Sequence, residues 1–186
     1  MRRSCILFGT VLLVLFGMSS CKGLLGPDKT GEIQLSSETF GESYYLFGYS
    51  YEDGEYYRFE YQGEPLPDII NEAYRVLVAG GGFITLPGFN TPGQMNGFAL
   101  IGEFENLESA RDFYNKYVKV EDGLQFETVS DTVKLYQVWA QQTEIGNYVK
   151  LLVKDIQNFE GESGALFNEV SLEYTYQPNG SSTFPD

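Results

Sequence analysis

Carboxylates are the side chains of this chain that are best suited to acid–base chemistry. The chain has 26 acidic residues, two cysteines and no histidine, so neither a Ser-His-Asp triad nor a histidine-based zinc site can form. A pair of carboxylates is enough for glycoside hydrolysis, but no motif or spacing singles out such a pair. We therefore predict a non-catalytic protein and keep a carboxylate-dependent glycan hydrolase as the alternative. The acids considered for that role are Glu52, Asp53, Glu55, Glu103, Glu105 and Glu108.

A second acidic segment has a composition that suits calcium. Residues 155–162, DIQNFEGE, offer several oxygen ligands and a glycine. They do not follow the EF-hand pattern, because Gln157 and Phe159 occupy the next two ligand positions after Asp155, and Glu160 stands where that loop requires glycine. The sequence thus requires no cofactor, and it leaves calcium as an alternative to a plain acidic hairpin loop.

The N-terminal residues have the pattern of an export signal. Two arginines precede a mainly apolar run of 13 residues, 6–18, which is shorter than the roughly 17 to 25 residues of a membrane-spanning helix. Small residues then lead into Cys21, and this order is typical of a secretory signal peptide. The stretch MSSC at residues 18–21 resembles the lipobox of bacterial lipoproteins, in which the cysteine is lipidated before cleavage.

These features predict a signal peptide at residues 1–20, a lipidated Cys21 with a flexible tether up to residue 30, and a single β-rich domain over residues 31–186. Acyl chains on Cys21 would make a membrane the first partner of the protein. Lys22 stands where the inner-membrane retention signal of lipoproteins has Asp, which favours the outer membrane.

The predicted mature chain is strongly acidic and has no disulfide. Removal of residues 1–20 changes the formal charge from −14 to −16 and takes away Cys5, the partner that Cys21 would need. Because such a surface repels nucleic acid, we expect no nucleic-acid partner.

Two aromatic-rich runs, residues 43–51 and 56–62, have the pattern of a β-hairpin. Asp53-Gly54 lies between them and predicts a two-residue turn, in which Ser50 would oppose Tyr57. Both faces of this hairpin carry aromatic residues, which indicates either burial between two layers or an exposed aromatic face that binds a ligand.

The middle of the chain is less regular. Residues 68–79 are apolar-rich and fit helix or strand, residues 83–86 predict a short strand, and residues 87–97 have the composition of a loop. After Asn106, a favourable N-cap, apolar residues recur at helical spacing and predict an α-helix over residues 107–118.

The C-terminal third predicts strands. Residues 132–143 and 148–156 fit a hairpin, and residues 169–177 alternate so that Val170, Leu172, Tyr174 and Tyr176 share one face. Since strands and helices do not alternate along the chain, we expect a mainly β fold, an antiparallel sheet or sandwich with one α-helix at about 107–118.

Three C-terminal segments resemble the closing strands of the HmuY-type haem-binding lipoproteins. They are LYQVWAQQT at 135–143, GNYVKLLVK at 146–154 and VSLEYTYQPNGS at 170–181. In that family a strand near YxVxT turns through GxYxK into the next strand, and the chain ends in FxYxYQPxG. The resemblance implies a β-rich fold and capture of haem outside the cell.

The resemblance does not extend to the haem ligands. The best-known members hold the iron between two histidines, which this chain lacks. Relatives can use methionine, and tyrosine is another axial ligand of haem iron. Met95, the one methionine after the signal peptide, together with a tyrosine is therefore one set of iron ligands to consider. Tyr136 is a second candidate ligand-binding residue. Capture of a porphyrin by stacking alone, and a loop methionine that only packs on the domain, remain alternatives.

Trp139 is the third candidate ligand-binding residue. It shares its strand face with Leu135, Gln137 and Gln141, a mixed face that is compatible with partial exposure. Exposed rings would suit a small planar ligand or a glycan, and an envelope protein is a further partner to consider. We expect a membrane-anchored, non-catalytic binding domain of the bacterial cell envelope.

Replacement of Cys21 with Ser should release the protein from membranes, because a serine cannot accept the acyl chains that hold it there. Fractionation of cells into membrane and soluble material, followed by immunoblotting, measures the effect, with Cys5→Ser as the matched control. Tight membrane association of Cys21→Ser would contradict the lipid anchor.

Overall fold

The fold is mainly β, with antiparallel sheets and, within the described residues, a single α-helix. The computed structural model describes residues 29–41, 44–59, 66–93, 97–161 and 164–185. The elements are β1 (Thr30–Ser36), β2 (Leu46–Ser50), β3 (Glu55–Phe59), β4 (Ile70–Asn71), β5 (Tyr74–Leu77), β6 (Phe83–Leu86), β7 (Phe89–Asn90), β8 (Gly97–Glu103), α1 (Leu107–Lys116), β9 (Gln137–Gln142), β10 (Tyr148–Glu160) and β11 (Leu166–Gln177).

The main sheet has five strands in the order β1-β11-β10-β9-β8, all antiparallel. The predicted hairpin of the C-terminal third is confirmed as β9 and β10. The predicted alternation of the last strand is confirmed too, because Val170, Leu172, Tyr174 and Tyr176 are all buried on one face. That face carries the larger hydrophobic core of the protein.

The predicted helix is confirmed, and it begins at Leu107, directly after the predicted N-cap residue Asn106. The Oδ1 atom of Asn106 accepts a hydrogen bond from the backbone N–H of Ser109 at 2.9 Å, which satisfies one of the free N–H groups of the first turn. The helix ends at Lys116, two residues before the predicted end. No helix in the described part of the chain is long and apolar enough to cross a membrane.

Helix α1 covers the opposite face of the main sheet. Ala110 and Tyr114 pack against Val138 and Leu152. The buried ammonium group of Lys150 lies beneath the C-terminal turn, where it donates hydrogen bonds to the carbonyl oxygens of Tyr114 at 2.9 Å and Tyr117 at 3.1 Å. Because these carbonyls carry the negative end of the helix dipole, a cation there stabilises the helix and its position on the sheet.

The aromatic hairpin forms, but its predicted register is wrong. Ser50 opposes Glu55 instead of Tyr57, so residues 51–54 form a longer turn. The cause is tertiary: Tyr51 leaves the strand, its ring is fully buried, and its N–H donates to Asp68 Oδ2 at 2.9 Å. Gly54 takes the left-handed conformation that closes this turn.

The tyrosines on one side of the hairpin belong to the core. The hydroxyls of Tyr49 and Tyr174 lie 3.1 Å apart, and the rings of Tyr51 and Tyr176 stack at 5.9 Å. The Tyr51 hydroxyl donates to Gln141 Oε1 at 3.0 Å. These tyrosines thus join the hairpin to the main sheet with their polar ends satisfied.

Two small sheets lie between the hairpin and β8. Strands β4 and β7 pair with each other, as do β5 and β6, so residues 68–79 contain strands and no helix. The predicted loop at 87–97 contains β7. Its Phe89 is fully buried, and the N–H of Phe89 donates to Ser130 Oγ at 2.8 Å, a contact with a distant segment that composition does not show.

A buried side chain, Asn71, fastens β4 to the main sheet. Its Nδ2 group donates to the carbonyl oxygen of Leu35 in β1 at 3.2 Å and to Asn168 Oδ1 in β11 at 2.8 Å. Both asparagines are fully buried. One amide group therefore fixes the position of β4 relative to two strands at the edge of the main sheet.

Replacement of Asn71 with Leu should lower the free energy of unfolding by roughly 1–3 kcal/mol, because buried acceptors on Leu35 and Asn168 lose their donor. Removal of Asn71 Oδ1, which is buried without a partner, offsets part of this loss. Urea denaturation measures the change. The control, Asn115→Leu at an exposed helix position, should change stability by less than about 0.5 kcal/mol. Equal stabilities of the two variants would contradict the role given to Asn71.

Candidate functional site

The residues predicted from the sequence do not form one site. Cys21 and Met95 lie outside the described residues. Tyr136 is partly buried and packs against the cluster under α1. It has a positive φ of 64°, and its N–H donates to the carbonyl oxygen of Val153 at 3.0 Å. These contacts make Tyr136 part of the link between the sheet and the helix.

Trp139 belongs to the opposite face of the sheet and is buried, with only 3% of its surface exposed. The expected partial exposure is therefore not observed. The two glutamines of its strand face, Gln137 and Gln141, are buried with it, and the indole N–H donates to Gln137 Oε1 at 3.2 Å. A mixed face can be buried when its polar members are hydrogen-bonded. Tyr136 and Trp139 are thus separated by the sheet.

The acidic residues named from the sequence are spread over the surface. Glu103 binds Lys134 at 3.1 Å, and Glu52 and Asp53 lie in the turn of the aromatic hairpin. The segment expected to be an acidic loop is strand β10 as far as Glu160, with Glu162 outside the described residues. Within the described ranges, no three acidic or thiol side chains come close enough to hold a metal ion.

One carboxyl group, that of Asp68, has an unusual environment. Burial raises its pKa to about 6, and the nearby charges of Glu52, Asp53 and Glu144 act in the same direction. The N–H of Tyr51 opposes the rise by donating to the carboxylate at 2.9 Å. Asp68 lines neither of two surface cavities, of about 320 Å³ and 380 Å³.

The most unusual surface is the hairpin of β5 and β6, residues 74–86, which we call the arm. Its strands pair Val76 with Ile84 and Leu77 with Phe83. Neighbouring pairs of an antiparallel ladder point to opposite faces, yet all four side chains are exposed, Leu77 by 64% and Phe83 by 45%. The arm therefore presents apolar side chains to solvent on both of its faces.

The tip and the base of the arm are well defined. Val78 N–H donates to the carbonyl of Gly82 at 2.9 Å, and Gly80 and Gly81 take positive φ angles that close the tip. The guanidinium of Arg75, the one basic group of the arm, lies 4.2 Å from the centre of the Phe83 ring. At the base, the Tyr74 ring occupies the space that a side chain at Gly88 would need.

A second group of partly exposed rings lies on the aromatic hairpin. Phe40, Tyr45 and Phe47 contact one another with ring centres 5.6 to 5.9 Å apart. The Arg58 guanidinium lies 3.7 Å from the centre of the Tyr45 ring. These rings cover one another, whereas the apolar pairs of the arm are open on both faces.

The arm was not identified from the sequence, although a signal for it exists. Two short apolar runs, RVLV and FITL, flank the glycines at 80–82, and this arrangement is typical of a hairpin with a glycine-containing loop. What the pattern does not show is that Val76, Leu77, Phe83 and Ile84 stay exposed, although β6 lies near β11.

Solved structures that resemble this chain include two from bacteria. No protein-family model and no curated protein matches the chain. Apo PinO from Porphyromonas gingivitis is 13% identical, covers 80% of this chain and 98% of its own, and has a TM-score of 0.36. The apo HmuY analog of Tannerella forsythia is 13% identical, covers 82% and 99%, and has a TM-score of 0.37. TM-scores this low do not establish a shared overall fold, so the proposals below rest on this chain's own residues.

The raised pKa of Asp68 predicts that stability falls as pH rises from about 4 to about 6, since the folded chain then holds a proton that the unfolded chain has lost. Asp68→Asn should remove this penalty and keep an oxygen for the Tyr51 N–H. We expect the variant to be more stable at pH 8 by about 2–3 kcal/mol, and the difference to vanish near pH 4.

Urea denaturation at the two pH values measures this difference. The control for a change of charge alone is Asp122→Asn, because Asp122 is exposed and does not contribute to the shift of the Asp68 pKa. A variant that is less stable than the parent at pH 8, or a difference that does not depend on pH, would contradict the assignment.

Proposed function

We propose that this protein is a non-catalytic binding domain of the bacterial cell envelope, held to the outer membrane through Cys21, and that the arm captures its ligand. The exposure of apolar side chains on both faces of the arm is the observation that supports this proposal. Contiguous exposed apolar surface on a water-soluble domain is typical of a binding site.

The energetics of the arm agree with this role. A two-stranded hairpin is only marginally stable in water. The apolar side chains of this one are exposed to solvent, so they do not stabilise it through burial. A ligand that covered Leu77 and Phe83 would remove that surface from water, at about 25 cal/mol for each Å² of apolar area. Binding of a flat, apolar ligand to the arm would therefore be favourable, because it would bury apolar surface of both.

The acids of one cavity favour a non-catalytic function, whereas the cavity of about 320 Å³, which is lined by the exposed acids Glu127 and Asp131, keeps the glycan hydrolase as an alternative. A glycosidase needs two carboxyl groups that face each other across a cleft. In the cavity of about 380 Å³, Glu173 binds Arg111 at 3.2 Å and Glu32 binds Lys154, so both acids are engaged with cations. Asp68, which has the pKa of a general acid, is enclosed by the hairpin turn instead of lining a cleft.

A porphyrin is the specific ligand that we propose as a second candidate. A porphyrin is flat and apolar, and one of its carboxylates could form an ion pair with Arg75. The Arg75 guanidinium already lies against the Phe83 ring. The resemblance of residues 135–181 to HmuY-type proteins favours the same ligand class. Without histidine, the ring would be held by stacking, or its iron by Met95 and a tyrosine.

Titration of the detergent-solubilised full chain with hemin, and in parallel with metal-free protoporphyrin, tests both candidates. We expect saturable changes in the Soret band, and Leu77→Ser should weaken binding about tenfold or more, since it removes apolar contact area from the arm. The matched control is Ile145→Ser, because Ile145 is equally exposed, by 61%, but lies in the turn between β9 and β10.

The outcomes separate the candidates. Equal binding of both porphyrins, unaffected by Met95→Ala, would assign recognition to the apolar arm, whereas loss of hemin binding in Met95→Ala would assign it to the iron. If neither compound binds, the porphyrin candidate is wrong. If Leu77→Ser and Ile145→Ser weaken binding equally, the arm is not the binding site.

A further inference from the structure

A cavity of about 320 Å³ lies beside β8, at the edge of the main sheet, and its walls combine two kinds of chemistry. Phe98, Leu100, Val129 and Trp139 form an apolar part, in which Leu100 and Val129 are exposed while Phe98 and Trp139 are buried. The polar part contains the exposed acids Glu127 and Asp131. Its volume is at the lower end of the range for small-ligand sites.

The edge of β8 adds a hydrogen-bond acceptor to this cavity. Phe98 exchanges both backbone hydrogen bonds with Glu127, at 2.7 and 2.9 Å, so its polar backbone groups point away from β9. In an antiparallel ladder the groups of the second residue along point the same way. The register with β9 is regular up to the pair Leu100–Trp139 and shifts beyond it, between Leu100 and Gly102. We therefore infer that the carbonyl of Leu100 also points away from β9, where the described residues offer it no backbone hydrogen bond.

Residues 124–127 cover the edge of β8 at Phe98 but turn away from the strand next to Leu100. Glu127 pairs with Phe98, but Leu124 and Gln125 form a separate wall of the cavity. The N–H of Leu124 bonds to the carbonyl of Glu121 at 3.3 Å, and Gln125 Nε2 bonds to the carbonyl of Gly123 at 2.9 Å. The cavity is thus the gap between the strand edge and a turn that makes its own hydrogen bonds.

The charges around the cavity have one sign. Two carboxylates and an outward backbone carbonyl are all hydrogen-bond acceptors, and no lysine or arginine lines the described walls. A cationic donor with an apolar stem would satisfy both parts of such a site, because the stem can lie on the leucine and valine while the carboxylates stabilise the cation. An anionic ligand would be repelled by the acids, and a neutral donor could form hydrogen bonds to them but no ion pair.

We propose that this cavity is a second binding site, specific for an organic cation, either a free guanidinium or amine compound or the arginine or lysine side chain of a partner protein. Glu127 and Asp131 hold the charge, Leu100 and Val129 contact the stem, and Trp139 lies in the wall behind them. The cavity adjoins the base of the arm, where the Tyr74 hydroxyl donates to the carbonyl of Ser130 at 3.5 Å. Leu77 is not one of its lining residues, so separate variants can test the two sites.

Trp139 provides the measurement, because it is the only tryptophan of the chain. The probes are argininamide, an end-blocked Gly-Arg-Gly peptide and the same peptide with citrulline, which keeps the shape of arginine without its charge. Titrations of the detergent-solubilised full chain are followed by tryptophan fluorescence and by the NMR signal of the indole N–H, which is hydrogen-bonded to Gln137.

We expect saturable changes with the arginine probes, at least tenfold weaker binding of the citrulline peptide, and loss of affinity as salt is raised. The double variant Glu127→Gln/Asp131→Asn should bind the arginine probes about tenfold more weakly. The control, Glu55→Gln/Glu144→Gln, changes two exposed acids elsewhere and should bind like the parent.

Tighter binding of the arginine peptide than of argininamide would support the proposal and assign the site to a protein partner, and equal binding would support it for a small cation. Absence of a saturable change, equal binding of the citrulline peptide, or equal loss in both double variants would overturn it. Because the citrulline comparison uses the unmodified chain, it decides the question even if a variant fails to fold. Leu77→Ser should leave this binding unchanged.

Discussion

The buried amide of Asn71 is the contact on which the placement of the arm depends. Its Nδ2 group joins β4 to β1 and β11, and β4 pairs with β7. Because β4 directly precedes the arm in the chain and β7 directly follows it, both ends of the arm start from one fixed point on the main sheet. The arm itself buries little apolar surface, and a hairpin of this kind has little stability of its own. Its position therefore comes from contacts beyond the hairpin, which include this buried amide and the hydrogen bond from the Tyr74 hydroxyl to the carbonyl of Ser130 at 3.5 Å.

The same principle orders the rest of the molecule, since buried polar groups fasten a covering layer to each face of the main sheet. Lys150 binds the C-terminal carbonyls of α1 on one face, and the hydroxyl of Tyr51 binds Gln141 on the other. Both edges are also covered in part: the N–H of Gln34 in β1 donates to the Tyr56 hydroxyl at 3.0 Å, and Glu127 pairs with β8. Because its faces and edges are covered, the main sheet leaves few free backbone groups. The arm and the cavity beside β8 are the surfaces that we consider as binding sites.

Those two surfaces differ in the ligands they can recognise. The arm is apolar and has a cation, Arg75, stacked on Phe83, while the cavity has an apolar wall with two acids and no cation among its described lining residues. On a chain with a formal charge of −14, long-range electrostatics favour positively charged ligands everywhere. A ligand with carboxylates must therefore be held by local contacts, and the arm is a part of the described surface that can supply them.

The sequence by itself determined the elements whose cause is local. Asn106 and the helical spacing after it determine where α1 begins, and the alternation of residues 169–177 determines which face of β11 is buried. Only the tertiary structure decided the register of the aromatic hairpin, because Tyr51 leaves the strand to reach Asp68, and the burial of Trp139, because its neighbouring glutamines find hydrogen-bond partners. The exposure of the arm was decided in the same way. A periodic pattern shows which side chains share a face, but burial depends on what packs opposite that face, and in this fold those partners come from distant parts of the chain.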